Sequence, residues 1–224
     1  MIELDGIQRI FQVGDQEVHA LKDVQLNIED GEYVSVMGPS GSGKSTLLNI
    51  LGLLDRPTGG TYRLDKQLVT ELTDSEMAGI RRNKIGFVFQ FFHLLPRLTA
   101  AENIALPMVL GGVPAGEREA RTQKIMEALD ISDRAHHKPD QLSGGQRQRV
   151  AIGRATIMHP SVILADEPTG NLDRHSGAEV IEILERLNDS GITLIVVTHD
   201  PEIGKRAKRH IQFIDGTIRQ DDKV

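Results

Sequence analysis

Apolar and polar positions alternate or cluster along the chain in a way that sketches its elements. Residues 2–11 and 18–28 carry short apolar stretches on either side of Gly14-Asp15, which predicts two strands joined by a turn. "EYVSVMG" (32–38) is a compact apolar run entering a glycine-rich loop, and "STLLNILGLL" (45–54) predicts a helix that stops ahead of Pro57 and a turn at Gly59-Gly60. "TYRL" (61–64) reads as an edge strand and "IGFVFQ" (85–90) as a buried one. From 91 to 155 the character changes. Pro96, Pro107 and Pro114 punctuate segments that look helical, and "EREARTQKIMEALD" (117–130) puts Ile125, Met126 and Leu129 on one face. Strands return with "SVILADE" (161–167) and "ITLIVVTHD" (192–200), separated by a helix around "AEVIEILERL" (178–187), and "HIQFID" (210–215) closes the pattern.

Apolar strands alternating with helices predict an α/β fold with a mostly parallel sheet covered on both faces. The expected organisation is one domain over 1–224: a core from 1–90 and 156–224 that includes an N-terminal antiparallel β part, and a helical insert over 91–155. Ligands of such sheets bind where strands end at their carboxyl termini, so the polar residues that end the strands are the candidates for chemistry.

Composition narrows the class. The 224 residues suffice for a sizeable core, with 39% hydrophobic and 26% charged residues and a formal net charge of −6. Nothing in that balance asks for nucleic acid as a partner. The absence of cysteine rules out disulfides, zinc–thiolate sites and thiol catalysis. The charged opening "MIELDGIQRI" lacks a signal-peptide core, and no apolar run reaches the ~18 residues of a membrane span. Work at a membrane would therefore depend on a partner that spans it.

"GPSGSGKS" (38–45) fits G-x-x-x-x-G-K-S/T between a predicted strand and a predicted helix, the setting a phosphate loop requires. Gly38, Gly41 and Gly43 let the backbone curl around an anion. The amides of residues 41–46, with Ser40, Ser42 and Thr46 among the loop's nucleotide-binding set, then point inward at a helix start. Lys44 is expected to reach the β- and γ-phosphates and the Ser45 hydroxyl to ligate Mg²⁺. Asp166 ends a strand and would hold Mg²⁺ directly or through water, while Glu167 would orient and polarise the attacking water. Gln90 ends another strand, where its amide could meet both Mg²⁺ and water; His199 ends a third and could bond a γ-phosphate oxygen. The remaining histidines read as solvated.

A second anion seat stands at "LSGGQ" (142–146). Ser143 and Gln146 fit a capping box, but alanine would serve such a cap as well as Gly144 and Gly145 do. The two glycines suggest close approach of something to a helix N-terminus, from the same phosphate, a different anion or a phosphate on another molecule.

The motif set resembles the ATP-binding-cassette ATPases: phosphate loop 38–45, Gln90, signature 142–146 running into "QRQRVAIGRA", acidic strand 162–167, "GNLD" (170–173) and His199, in that order. The resemblance implies a P-loop NTPase core, ATP and Mg²⁺ as cofactors, ATP hydrolysis, and two subunits pairing head to tail so that the signature of one closes on the ATP of the other. Ser143, Gly144, Gly145 and Gln146 would then serve the partner's nucleotide, with Asp173 at the interface. It implies adenine stacking on Phe11, a position where tyrosine is commoner, and a membrane subunit received near Phe91, Phe92, Leu94 and Leu95. The protein would sit in the cytoplasm, held on the inner face of the membrane through that subunit.

"LGLLDRPTGGTY", "FQFFHLLPRLTAAENIALPM" and "ILADEPTGNLD" look like the group containing the lipoprotein-release and macrolide-export ATPases, which implies lipoprotein release, export or force transmission. An ATP-gated regulatory module of the cell-division type is the alternative. A GTPase is disfavoured because "NKIG" (83–86) lacks the aspartate of N-K-x-D, and a small-molecule kinase would leave the second seat unexplained.

Overall fold

The computed structural model describes residues 1–223. Strands β1 (Ile2–Val13) and β2 (Gln16–Ile28) form the expected antiparallel hairpin. Ile2, Leu4 and Ile7 of β1 are buried while Glu3 and Asp5 face solvent, the alternation of a half-covered sheet. Strand β4 (Gly59–Leu64) pairs with the free side of β1, and the short β5 (Gln67–Leu68) lies beyond it, giving the order β2-β1-β4-β5. "TYRL" is therefore interior to this sheet, and Gly59-Gly60 starts the strand instead of turning ahead of it. Gly60 is required there: its φ is +85°, and a Cβ would overlap the Gly6 backbone.

The second sheet is built from β3 (Tyr33–Met37), β6 (Ile85–Phe89), β7 (Val162–Asp166), β8 (Thr193–Val197), β9 (Arg209–Ile214) and β10 (Thr217–Lys223). Its order is β10-β9-β3-β8-β7-β6, parallel throughout except for β10, which folds back antiparallel on β9. Side-chain alternation along these strands feeds two separate cores. Val162, Leu164, Ile195 and Val197 join the antiparallel sheet and the helix α1 (Lys44–Leu51) on one face. Ile163, Ala165, Leu194 and Val196 join the other face's helices. This double coverage is why the strands read as unbroken apolar runs.

The second core is completed by α3 (Ala100–Leu110), α4 (Ala115–Ala128), α5 (Gly144–Thr156) and α6 (Arg174–Asp189). Ile104 and Met108 of α3, Met126 of α4, Val150 and Ile152 of α5, and Val180 and Leu184 of α6 all lie within it. Pro107 does not interrupt the chain, as the sequence had suggested; α3 runs through it to Leu110. A polar helix, α2 (Asp74–Lys84), precedes β6 and escapes the apolar pattern because it buries only Met77. It is fixed by its ends: Thr73 and Glu76 form a capping box, and Arg81, Arg82 and Lys84 occupy the last turn. A short α7 (Pro201–Gly204) follows β8. No helix among the described residues is long and apolar enough to cross a membrane.

Candidate functional site

The turn from β3 into α1 builds the first seat. Gly43 caps α1 with φ +103° and offers no side-chain cap, and no acid occupies the first turn. Among the described helices of eight residues or more, α1 alone lacks both devices: α2, α3, α5 and α6 have capping side chains, and α4 has Glu117. Its first amides are thus left as donors at the positive end of a dipole.

The loop glycines differ in purpose. A Cβ on Gly38 would overlap the Phe213 carbonyl, and one on Gly43 the Ala20 carbonyl; Gly41 faces open space and is demanded only by φ +78°. Lys44 Nζ donates to the carbonyls of Gly38 and Pro39, each at 2.8 Å, so the ammonium lies over the loop. The buried Ser42 passes its carbonyl to the Gly216 amide at 2.8 Å, tying the loop to the turn after β9. A cavity of ≈ 410 Å³ adjoins the loop, lined in part by Lys44, Ser45 and Thr46 and, from the hairpin, by Val18 and His19. Phe11 is the register partner of Val18, which places it beside that cavity. One face of its ring is covered by the Arg9 guanidinium, 4.3 Å from the centroid.

Strands β3, β8, β7 and β6 are consecutive in the sheet, so their carboxyl ends form one row. Asp166 ends β7, paired in register with Phe89, the residue before Gln90. Burial, and then the charge of Glu167, push the Asp166 carboxyl above its ordinary range, with Lys44 partly opposing. Glu167 sits at φ +47°, an unusual conformation for a residue with a side chain. Its amide donates to Val197 O at 2.9 Å; its carboxylate accepts from Thr198 Oγ1 at 3.3 Å and meets His199 Nδ1 at 2.7 Å. That hydrogen bond, with the Glu167 charge, raises the exposed His199 imidazole above its usual pKa. His199 is therefore engaged by Glu167 through Nδ1, which leaves Nε2 for a second partner. Gln90 lies against Gly170, where a Cβ would crowd its amide, and its carbonyl accepts from Asn171 Nδ2 at 3.0 Å.

The second seat is capped as its sequence indicates. Ser143 Oγ accepts from the Gln146 amide at 3.2 Å, and the Ser143 amide donates to Gln146 Oε1 at 2.9 Å. The glycines have a reason within the chain as well. A Cβ on Gly144 would press on Leu172 and one on Gly145 on Ser176, both at 3.1 Å. Close approach of α5 to Leu172 of "GNLD" and to Ser176 of α6 thus accounts for part of what the sequence suggested was demanded from outside. Asp173 caps α6, accepting from the amides of His175 and Ser176 at 3.0 Å; these bonds, that of Ser176 first, hold its carboxyl low.

The segment after Gln90 departs from expectation. Phe92 and His93 adopt positive φ, and their carbonyls accept from Arg154 of α5. The Phe92 ring lies under the Arg147 guanidinium and Leu94 packs on the second core, so of the four apolar residues expected to meet a partner Phe91 and Leu95 are the exposed ones. Phe87, expected in the core, does pack against the first core, and together with Phe89 it also lines a groove of ≈ 550 Å³ with Leu54, Leu106, Leu110 and Met158. His93 is exposed, as read, and lies against the Phe89 ring, while His210, also read as solvated, is half-buried with Ser35 Oγ at 3.1 Å.

Two contacts at the site come from residues the sequence had not singled out. Thr198 bonds Glu167, and Gln148 of α5 reaches the carbonyls of Phe89 and Pro168. Gln148 lies in a helix position that the apolar period would assign to the core, and a polar residue in a core position was the available signal.

Fold and site together define a phosphate-loop ATPase cassette that hydrolyses ATP. The ABC transporter family profile matches residues 21–170. The macrolide export ATP-binding/permease protein MacB of Bdellovibrio bacteriovorus is 50% identical over 100% of this chain, which spans 34% of that relative. An uncharacterized ABC transporter ATP-binding protein of Thermotoga maritima is 50% identical over 97% of this chain and 93% of its own length. Among solved structures, the dimeric post-hydrolysis ATP-binding cassette MJ0796 bound to ADP and Pi superposes with a TM-score of 0.92 at 45% identity, covering 100% of this chain and 98% of that one. A second dimeric structure of the same bacterial ABC transporter cassette gives 0.92 at 46%. The chain belongs to the ABC transporter family.

Proposed function

We propose that this chain powers a membrane complex by closing head to tail on a second copy around two ATP–Mg²⁺, driving lipoprotein release, export or force transmission through an integral membrane subunit. The observation that carries the reading is the uncapped start of α1 set at the end of a row of strands that delivers Gln90, Asp166, Glu167 and His199 to one side. In this role the loop amides and Lys44 bind the phosphates, Phe11 stacks the adenine, and Glu167 polarises the attacking water. His199 bonds the γ-phosphate through the nitrogen that Glu167 does not use.

The donor set suits magnesium. Ser45, Gln90 and Asp166 offer oxygen, and no cluster of three or more acidic, His or Cys ligands exists among the described residues. That fits a cation shared with substrate phosphates and water better than a protein cage. Burial first, and then the Glu167 charge, raise the Asp166 carboxyl, and a cation held there would oppose both. When bound, the cation supplies neutralisation of phosphate charge.

The membrane subunit is proposed to dock on the groove of Leu54, Phe87, Phe89, Leu106 and Leu110, continued by Phe91 and Leu95. Arg81, Arg82 and Arg154 at this groove favour an apolar helix with acidic flanks. The supporting test is Glu167→Gln. It should cut turnover by about 100- to 10,000-fold while ATP remains bound and a closed pair accumulates on size exclusion. Rapid hydrolysis, or isolated chains at saturating ATP–Mg²⁺, would overturn the reading. Reconstitution with the membrane partner, read as ATP-dependent movement of a cargo, separates transport from regulation.

A further inference from the structure

Gln148 is fully buried on the signature helix, two residues beyond Gln146. Its side-chain amide nitrogen donates to two carbonyls from different parts of the chain: Phe89 at 3.3 Å and Pro168 at 2.6 Å. Phe89 immediately precedes Gln90, and Pro168 immediately follows Glu167. The amide's orientation is fixed by chemistry, since a flip would set its oxygen against two carbonyl oxygens. In the orientation held, Gln148 Oε1 is buried without a hydrogen-bond partner. An unpaired buried acceptor is rare, and methionine or leucine would fill the same space without leaving one. Packing alone does not explain a glutamine here.

We infer that Gln148 is a positioning residue that couples the signature helix to the catalytic loops of its own chain, through one amide bonded on both sides of the water-activating site. The inference rests on the head-to-tail reading above. When α5 is drawn onto a partner's nucleotide, its movement is transmitted to the carbonyl beside Glu167 and to the one before Gln90. A chain whose signature is engaged thereby sets its own acid and its own glutamine for reaction. Gln148 touches no nucleotide in this scheme. It acts by placing the loops that do.

Gln148→Met keeps the side chain's length and removes both hydrogen bonds. The experiment compares the full-length variant with wild type in ADP affinity of the single chain, kcat and KM for ATP per folded molecule, and, in the Glu167→Gln background, the fraction of closed pair at saturating ATP–Mg²⁺. The expected result is ADP affinity and KM within about threefold, pairing retained, and kcat reduced at least tenfold. A kcat within twofold of wild type overturns the inference. So does a kcat loss matched by loss of pairing, which would make Gln148 a packing residue of α5 alone. Lys44→Ala is the control for the underlying reading: if it still binds ADP with wild-type affinity, the phosphate loop has been misassigned whatever Gln148 does. Should Gln148→Met fail to fold, the Gln148 side-chain NH₂ resonance of ¹⁵N-labelled Glu167→Gln protein decides. It is expected to shift when ATP closes the pair, and an unmoved signal overturns the coupling.

Discussion

At the scale of single residues, Lys44 illustrates how a loop prepares for a polyanion. Its ammonium is held by two carbonyls of the same loop, so the charge is already placed where the uncapped amides converge. Hydrogen bonds to charged groups contribute about 1.5–3 kcal/mol. Lys44→Ala should therefore weaken nucleotide binding by about ten- to a hundredfold, measured by fluorescent-nucleotide titration; unchanged affinity would contradict the loop's role. Most of this site was legible in the sequence because its chemistry is local: Gly38 to Thr46 are contiguous, and so are Asp166 and Glu167. What could not be read was which partner each side chain keeps. His199 was expected to face phosphate, yet its Nδ1 meets Glu167 across 32 positions of chain. Gln148 joins residues from β6 and from the loop after β7, a meeting that only the tertiary fold creates.

At the scale of elements, strands of the parallel sheet were readable as apolar runs because both of their faces are covered. α2 was not, since capping and end charges hold a helix that buries one methionine. β10 was missed for a related reason: it is mostly exposed, with no apolar alternation to betray it. Phe91, Phe92, Leu94 and Leu95 were read as receiving a membrane subunit, and the loop that carries them is held by Asn103 of α3. Fully buried, Asn103 accepts from the Leu95 amide at 2.8 Å and donates to the carbonyls of Leu95, Leu98 and Thr99. Asn103 thus ties the loop to α3, and the end of α3 lines the groove. Leu110 there is 70% exposed, too open to matter for folding. Leu110→Asp should leave the melting temperature and the isolated cassette's hydrolysis unchanged and abolish co-purification with the membrane subunit. Retained co-purification would move the docking surface elsewhere.

At the scale of the whole molecule, one buried arginine gathers distant segments. Arg209 of β9 forms a two-bond pair with Asp221 of β10 and reaches Glu32 at 2.8 Å and the Asn27 carbonyl at 2.6 Å; Lys223 also bonds Glu32. Burial by itself would raise the Glu32 carboxyl, but hydrogen bonds from Lys223, the Glu29 amide and Arg209 outweigh it and hold it below its ordinary value of 4.5. A carboxyl depressed in the folded state stabilises the fold fully above its unfolded pKa, and that contribution disappears as pH falls through the folded value. Glu32→Gln should therefore melt below wild type at pH 7, with the gap shrinking as pH drops under 4.5. A gap that stays constant down to pH 3 would show that charge is not its source.

The parallel sheet, sending neighbouring side chains to opposite cores, has a consequence for how the protein tolerates change. It works as a bulkhead: damage on one side does not flood the other. Val197 lies with one cluster and Val180 with the other. Val197→Ala and Val180→Ala should each lower stability, and the double variant should lose their sum to within about 0.5 kcal/mol in urea unfolding. Drift in either compartment can then be repaired from within it, and the two halves of the interior are free to evolve at separate rates.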